Sequence, residues 1–252
     1  MLNGVLPVHK EAGYTSMDVV AKLRGIVKQK KIGHTGTLDP MATGVLPICF
    51  GYATRLSERL MEHTKEYEAI MRFGVVTDTQ DTTGIVLHRT EGFSIEKEAF
   101  LAAAEKYIGG YEQLPPMFSA RKVNGKRLYE LARKGEEVER RTKFAEISEI
   151  TLLSLEEAEP FSQIAKIRVV CGKGTYIRTL IHDIGQDLGC GAAMEALVRT
   201  RVGEYTLAES RTLSEVSALF AEGKLEKALT PMETLFQRFP SPKLERAYRM
   251  NM

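Results

Sequence analysis

Apolar and polar positions change period several times along this chain, and each change marks an element. Gly4-Val5-Leu6-Pro7-Val8 reads as a short strand and Gly13-Tyr14 as a turn. Thr15 or Ser16 then caps a helix, with Asp18 in the first turn where a negative charge suits the helix dipole. Val19, Val20, Leu23 and Val27 share one face of that helix, and Lys22, Lys28 and Lys30 lie largely off it. Residues 31–51 break the pattern. Gly33, Gly36, Gly44 and Gly51 with Pro40 and Pro47 exclude a regular helix and predict a long structured loop. Such loops in compact domains are usually functional. The apolar run Val45-Leu46-Pro47-Ile48-Cys49-Phe50 within it is expected to be buried as a strand.

Downstream, the spacing predicts a helix over 54–62 with Leu56, Leu60 and Met61 inward. Tyr67, Ala69, Met71, Phe73 and Val75 then alternate with Glu66, Glu68, Ile70, Arg72 and Gly74, a strand signal of period two. Thr82-Thr83-Gly84 is a turn, and 95–108 a helix ending at Gly109-Gly110. Leu114-Pro115-Pro116 breaks the chain, and Asn124-Gly125 is a hairpin signal ahead of a short helix near 128–132. Strands are expected over 147–155 and 164–171. Gly172-Lys173-Gly174 turns the second into a helix with Ile177, Leu180, Ile181, Ile184 and Leu188 on one face and Gly189 past its end. Strands and helices mix without βαβ regularity, which points to α+β: a mixed, mostly antiparallel sheet flanked by helices.

Composition adds limits. With 252 residues, 43% hydrophobic and 27% charged, the chain can bury a core as one large domain or two smaller ones. The net charge is only +2, but residues 19–31 hold five basic residues and no acidic one, and residues 121–143 hold nine basic against four acidic. Acidic residues gather elsewhere, at Glu146, Glu149, Glu156, Glu157 and Glu159. Two basic patches suit a polyanion, and equally suit solvated helix faces. Cys49, Cys171 and Cys190 have no zinc-like spacing and no disulfide framework. Neither a signal peptide nor a membrane-length apolar run is visible, so a cytoplasmic location is expected.

The chemistry-bearing residues are ambiguous one at a time. Asp39 is a plausible carboxylate nucleophile, and an aspartate before proline is also a common turn residue. His34 serves as a base or as a hydrogen-bonded loop residue. Tyr67 reads first as half-buried packing. Gly172-Lys173-Gly174, with Arg178 beyond, reads as an anion site or a plain tight turn. His182 and Asp183 do not face each other and read as structural. Asp78 and Asp81 make no ligand cluster with His34 and Asp39, so no metal is expected.

Taken together the motifs resemble one family. Gly33-His34-Thr35-Gly36-Thr37-Leu38-Asp39-Pro40-Met41-Ala42-Thr43-Gly44-Val45-Leu46-Pro47 resembles the catalytic segment of the TruB-type tRNA pseudouridine-55 synthases. Lys65-Glu66-Tyr67-Glu68-Ala69 and Thr77-Asp78-Thr79-Gln80-Asp81-Thr82-Thr83-Gly84 resemble its second motif. Pro115 through Gly125 and Gly174-Thr175-Tyr176-Ile177-Arg178-Thr179-Leu180 follow in the family's order. The resemblance implies the pseudouridine synthase fold, with a catalytic domain over 1–235, a basic RNA-gripping insertion at about 111–145, and a short tail at 236–252. It implies Asp39 as nucleophile, Arg178 pairing with Asp39, and Tyr67 against the target uracil. His34 would help hold the tRNA loop open, Tyr176 and Leu197 would line the nucleotide pocket, and Lys10 would contact substrate. The partner implied is the tRNA T-arm, bound by a monomer with no protein partner, cofactor or metal. Two features depart from the family. His9-Lys10-Glu11 stands where bacterial members usually read Asp-Lys-Pro, and the stretch after Pro231 is too short for the usual C-terminal RNA-binding domain of the PUA type. Weaker contact with the acceptor arm is therefore expected. Two other readings stand beside this one: an RNA-binding factor that opens and closes the tRNA elbow without needing Asp39, and a metal-dependent phosphate hydrolase.

Overall fold

The computed structural model describes residues 1–123, 125–158 and 162–250. Asn124 of the expected hairpin turn and Glu159 of the acidic group lie outside them. The chain forms two compact units, residues 1–65 with 198–252, and residues 66–197. Both are built from mixed, mostly antiparallel sheet with flanking helices.

In the first unit, strand Gly4–Lys10 pairs antiparallel with strand Thr43–Phe50, from Gly4 opposite Phe50 to Lys10 opposite Gly44. The far edge of Thr43–Phe50 takes two partners. Strand Ile32–His34 pairs antiparallel at residues 48–50, and Val198 and Arg199 of strand Ala192–Val202 pair parallel with Thr43 and Gly44. Both faces of this sheet are covered. Leu6, Val8, Leu46, Ile48 and Phe50 pack with Val19, Val20, Leu23 and Val27 of helix Ser16–Val27. Val5, Val45 and Cys49 pack on the opposite side with Leu56, Leu60, Met232, Leu235 and Phe236. Two covered faces explain why residues 45–50 are apolar without alternation. Burying each of these large side chains contributes about 1.5–3 kcal/mol before ordering entropy is charged against it.

Helix Ser16–Val27 begins as its sequence requires. Thr15 is the N-cap and forms a reciprocal capping box with Asp18. The expected helix over 54–62 is instead a 3-10 turn, Gly51–Leu56, followed by helix Ser57–Met61. Gly51, at φ +57°, starts the turn. Leu56 and Leu60 are buried as expected, and Met61 is half-buried. The tail after 235 includes helix Pro242–Arg249, whose Tyr248 is buried.

In the second unit, strand Lys65–Phe73 buries Tyr67, Ala69, Met71 and Phe73 in strict alternation. Strands Ile147–Ala158 and Ser162–Cys171 form a long antiparallel pair. Its register shifts near Glu149 and Ser154 mark irregularities in the ladder. The expected helix over 95–108 is shorter, Lys97–Glu105, because turns take over ahead of Gly109-Gly110. Strand Tyr111–Gln113 pairs with Lys143–Ala145 and so closes the neck of the basic insertion. Within it, Lys122–Val123 and Lys126–Arg127 pair antiparallel on either side of the expected turn. Helix Ile177–Asp187 starts after Tyr176, two residues later than its glycine turn suggests.

One close approach ties the catalytic segment to its neighbour. Gly44 sits at φ +107°, and a Cβ there would overlap the backbone of Arg199, its partner in the parallel ladder. Gly44→Ala meets both the φ penalty and this collision, and each costs about 1–3 kcal/mol. The variant is expected to lose at least about 2 kcal/mol in urea unfolding; a loss under about 0.5 kcal/mol would contradict this packing.

Candidate active site

The segment carrying Asp39 lies in the first unit, between strands Ile32–His34 and Thr43–Phe50. Irregular backbone exposes carbonyls and amides that no ladder satisfies. Here they are satisfied from below. Ser16 Oγ accepts from Leu38 N at 2.9 Å, and Leu38 is buried. Gly13 N donates to Pro40 O, and Ala42 N to Asp39 O, closing a turn around Asp39 itself.

Two buried cations do most of the remaining pairing. Lys10 Nζ donates to Glu11 O at 3.0 Å, Pro40 O at 3.1 Å and Ala42 O at 2.5 Å. Arg199 Nε donates to Val45 O at 2.7 Å, Nη2 to Gly36 O at 3.2 Å and Nη1 to Thr37 O at 3.5 Å. Lys10, expected to contact substrate, thus has its ammonium engaged with loop carbonyls, and the side chain is fully buried. Burial pulls its pKa down to about 8; Asp39 and Asp18 oppose the shift and Arg199 adds to it. Lys10 stays mainly protonated at neutral pH. Burial also lowers the pKa of His34, helped by the Arg199 charge and opposed by a backbone hydrogen bond with Gly36. His34 is therefore neutral at pH 7. That suits an uncharged contact better than a cationic one.

The second unit holds Tyr67, Tyr176, Arg178 and Leu197. Arg178, on the first turn of helix Ile177–Asp187, is 5% exposed. Its Nη1 donates to Thr79 O and its Nη2 to Phe118 O, both at 2.9 Å, and Nη1 lies 3.6 Å from Asp81 Oδ2. Asp81 is itself tied down. Its Oδ1 accepts from Thr79 Oγ1 at 2.8 Å, Thr83 N at 3.0 Å and Thr83 Oγ1 at 2.5 Å. The segment around it is docked onto Met194, which exchanges backbone hydrogen bonds with Gln80 and Thr82. Arg178 thus has a carboxylate partner inside its own unit, while Asp39, the partner implied by the motifs, belongs to the other unit.

Tyr176 is the N-cap of the same helix. Gln113, 2% exposed, clasps its backbone from both sides: Tyr176 N donates to Gln113 Oε1 at 2.8 Å, and Gln113 Nε2 donates to Tyr176 O at 3.0 Å. Gln113 also donates to the Tyr111 hydroxyl, which donates to Asp183 Oδ2 at 2.8 Å. The structural reading of Asp183 fits this chain of bonds. Lys173 and Gly174 in the preceding turn are exposed. Tyr67 and Leu197 are buried at 8% and 7% exposure.

The pairing of Asp81 with Arg178, and any role for Gln113 and Arg199, escaped the sequence reading. Asp81 carried a signal in its flanking threonines, which can bond a carboxylate locally. Gln113 and Arg199 carried none, because the backbone groups they hold lie far away in sequence. Among the described residues no group of three or more His, Cys, Asp or Glu side chains is placed to hold a metal ion. No described helix is long and apolar enough to cross a membrane.

This fold and these motifs define the class. The family model of the TruB family pseudouridylate synthase N-terminal domain matches residues 24–177, and that of the tRNA pseudouridylate synthase B C-terminal domain matches 178–237. The chain belongs to the TruB family of pseudouridylate synthases, a family of isomerases. It is 47% identical to the tRNA pseudouridine synthase B of Staphylococcus aureus strain MSSA476 over 247 residues, which are 97% of this chain and 81% of that protein. The strain JH9 protein matches at the same identity over 248 residues, with the same coverage of both chains. Among solved structures, a Cbf5-Nop10-Gar1 complex matches with TM-score 0.69 and 30% identity over 92% of this chain. An H/ACA ribonucleoprotein bound to a substrate RNA containing 2'-deoxyuridine matches with TM-score 0.67 and 28% identity, also over 92% of this chain. This chain spans 61% and 60% of those two solved chains.

The lowered pKa of His34 has a stability consequence. A histidine held neutral in the fold takes up its proton more readily when unfolded, at an ordinary pKa of about 6.5. Its contribution is therefore present above that pH and is lost as pH falls below it. His63 and His182, also lowered first by burial, act in the same direction. The urea midpoint is expected to drop between about pH 7.5 and 5.5, and to drop less in His34→Gln. Identical slopes in the two proteins would show that His34 is not desolvated in the fold.

Proposed function

We propose that this chain isomerises uridine to pseudouridine at position 55 in the T-loop of tRNA, with Asp39 as the nucleophile. The observation that carries the reading is Asp39 itself. It sits in the family's catalytic segment, on a turn whose backbone is held by Lys10, Ser16 and Arg199. A carboxylate on a braced loop is the arrangement a nucleophile needs, since orientation supplies much of the rate. The tRNA relatives support the substrate class.

The reaction needs the target base out of its stack. Flipping costs a few kcal/mol, which phosphate contacts and stacking offset. Asp39 then attacks the ribose or adds to the base. The bond from C1′ to N1 breaks, the uracil turns, and C1′ bonds to C5. C5 loses its proton and N1 gains one, so the product is an isomer and no oxidant, reductant or cofactor enters the scheme. Tyr67 lies against the uracil and assists proton removal at C5. Arg178 pairs with Asp39 and is itself oriented by Asp81. His34, neutral, helps hold the T-loop open, and Tyr176 and Leu197 line the nucleotide pocket. Lys10 acts on substrate through the Asp39 loop it braces.

In this reading the catalytic domain spans 1–235 and residues 236–252 are a short tail. The insertion at about 111–145 grips the T-arm, and exposed Lys22, Lys28, Lys30 and Lys31 meet phosphates. The enzyme works as a monomer in the cytoplasm and needs no protein partner.

The test measures tritium release from C5-labelled uridine in a T-arm transcript. Asp39→Asn is expected to lose at least about 10⁴-fold in rate while its tRNA Kd stays within about threefold of wild type. Wild-type protein that binds the transcript and forms no pseudouridine would leave only an RNA-binding factor. Formation at a uridine other than 55 would overturn the position.

A further inference from the structure

Arg199 is the largest side chain buried to under 2% exposure among the described residues, and it lies on the strand beside the catalytic segment. Its three donors span that segment. Nη2 and Nη1 reach Gly36 O and Thr37 O where the loop departs, and Nε reaches Val45 O where it returns. The Arg199 backbone pairs with Gly44 in the same place, and the missing Cβ of Gly44 permits the contact. Both ends of the Asp39 loop are thus fastened to one residue.

We propose that Arg199 is a positioning residue for the isomerisation, clasping the two ends of the Asp39 loop so that the carboxylate meets its target. The proposal rests on Asp39 being the nucleophile and adds a residue that never touches substrate. An arginine suits the task because one planar fork serves several acceptors at once. Volume alone does not explain it. An apolar side chain of similar size fills a core position without the penalty of burying a guanidinium. Among the described residues this guanidinium meets carbonyls rather than a carboxylate, so what it secures is the shape of the loop. Shape governs rate here, because a nucleophile displaced by about 1 Å can lose about 100-fold.

The experiment compares full-length wild type, Arg199→Met, Arg199→Lys and Asp39→Asn on one tRNA substrate. It reads kcat and KM per folded molecule, with the folded fraction taken from circular dichroism. Arg199→Met is expected to lower kcat about 100-fold with KM within about threefold. Arg199→Lys keeps the charge but cannot span all three carbonyls. It is expected to fall between, about tenfold below wild type. Should the methionine variant fail to fold, the lysine variant alone decides. A kcat per folded molecule within about threefold of wild type in each folded variant would overturn the positioning role, as would a loss that appears in KM alone. An active Asp39→Asn would instead remove the nucleophile assignment. An inactive Asp39→Asn beside unimpaired Arg199 variants would remove only the role of Arg199.

Discussion

The constraint on which the site depends is a backbone that lies outside every ladder and helix. Residues 35–42 follow neither a ladder nor a helix, so their carbonyls need donors from elsewhere. Lys10 and Arg199 supply them, one from an edge strand and one from the parallel neighbour. Cations are costly to bury, and their hydrogen bonds are correspondingly strong. The two strands that carry them are held by the cores on both faces of their sheet. Packing of ordinary aliphatic residues thereby fixes the backbone around Asp39.

The second unit repeats the device with different chemistry. Gln113 takes both backbone groups of Tyr176, and Arg178 spreads its guanidinium over Asp81 and two carbonyls. Asp81 is in turn fixed by threonines two residues away on either side. Asp39, Tyr176 and Arg178 are therefore each held in place by polar groups behind them. Lys173 and Lys22 of the first helix remain exposed. Their exposure suits contact with a polyanion at the surface.

Much of this was legible in the sequence because it is local. The stripe Val19, Val20, Leu23 and Val27 and the alternation from Tyr67 to Phe73 are periodic, and both appear as buried faces. The Thr15 cap announced its helix with Asp18 three residues on. The glycines and prolines predict a structured loop over 31–51, but the loop itself spans only 35–42, because Ile32–His34 and Thr43–Phe50 pair into the sheet. What stayed hidden was non-local. Nothing near Arg199 announces that it serves carbonyls at 36, 37 and 45, and nothing near Gln113 points to Tyr176. The resemblance alone puts Lys10 at the substrate, and its burial under the Asp39 loop is a tertiary fact that no local pattern carries. Asp81 was weighed as a metal ligand and dismissed, and its place beside Arg178 needed coordinates. The helix at 54–62 failed for a local reason: Gly51 starts a tighter 3-10 turn before the α-helical turns begin.

The central claim is that Asp39, so held, makes pseudouridine at position 55 of tRNA. It is tested most directly in cells that lack the gene and are complemented by wild-type protein or by Asp39→Asn, with pseudouridine mapped across all tRNAs. The account predicts loss of the position-55 signal in the deletion, full return with wild type and none with the asparagine variant. A signal that survives the deletion, or that returns with Asp39→Asn, would contradict it.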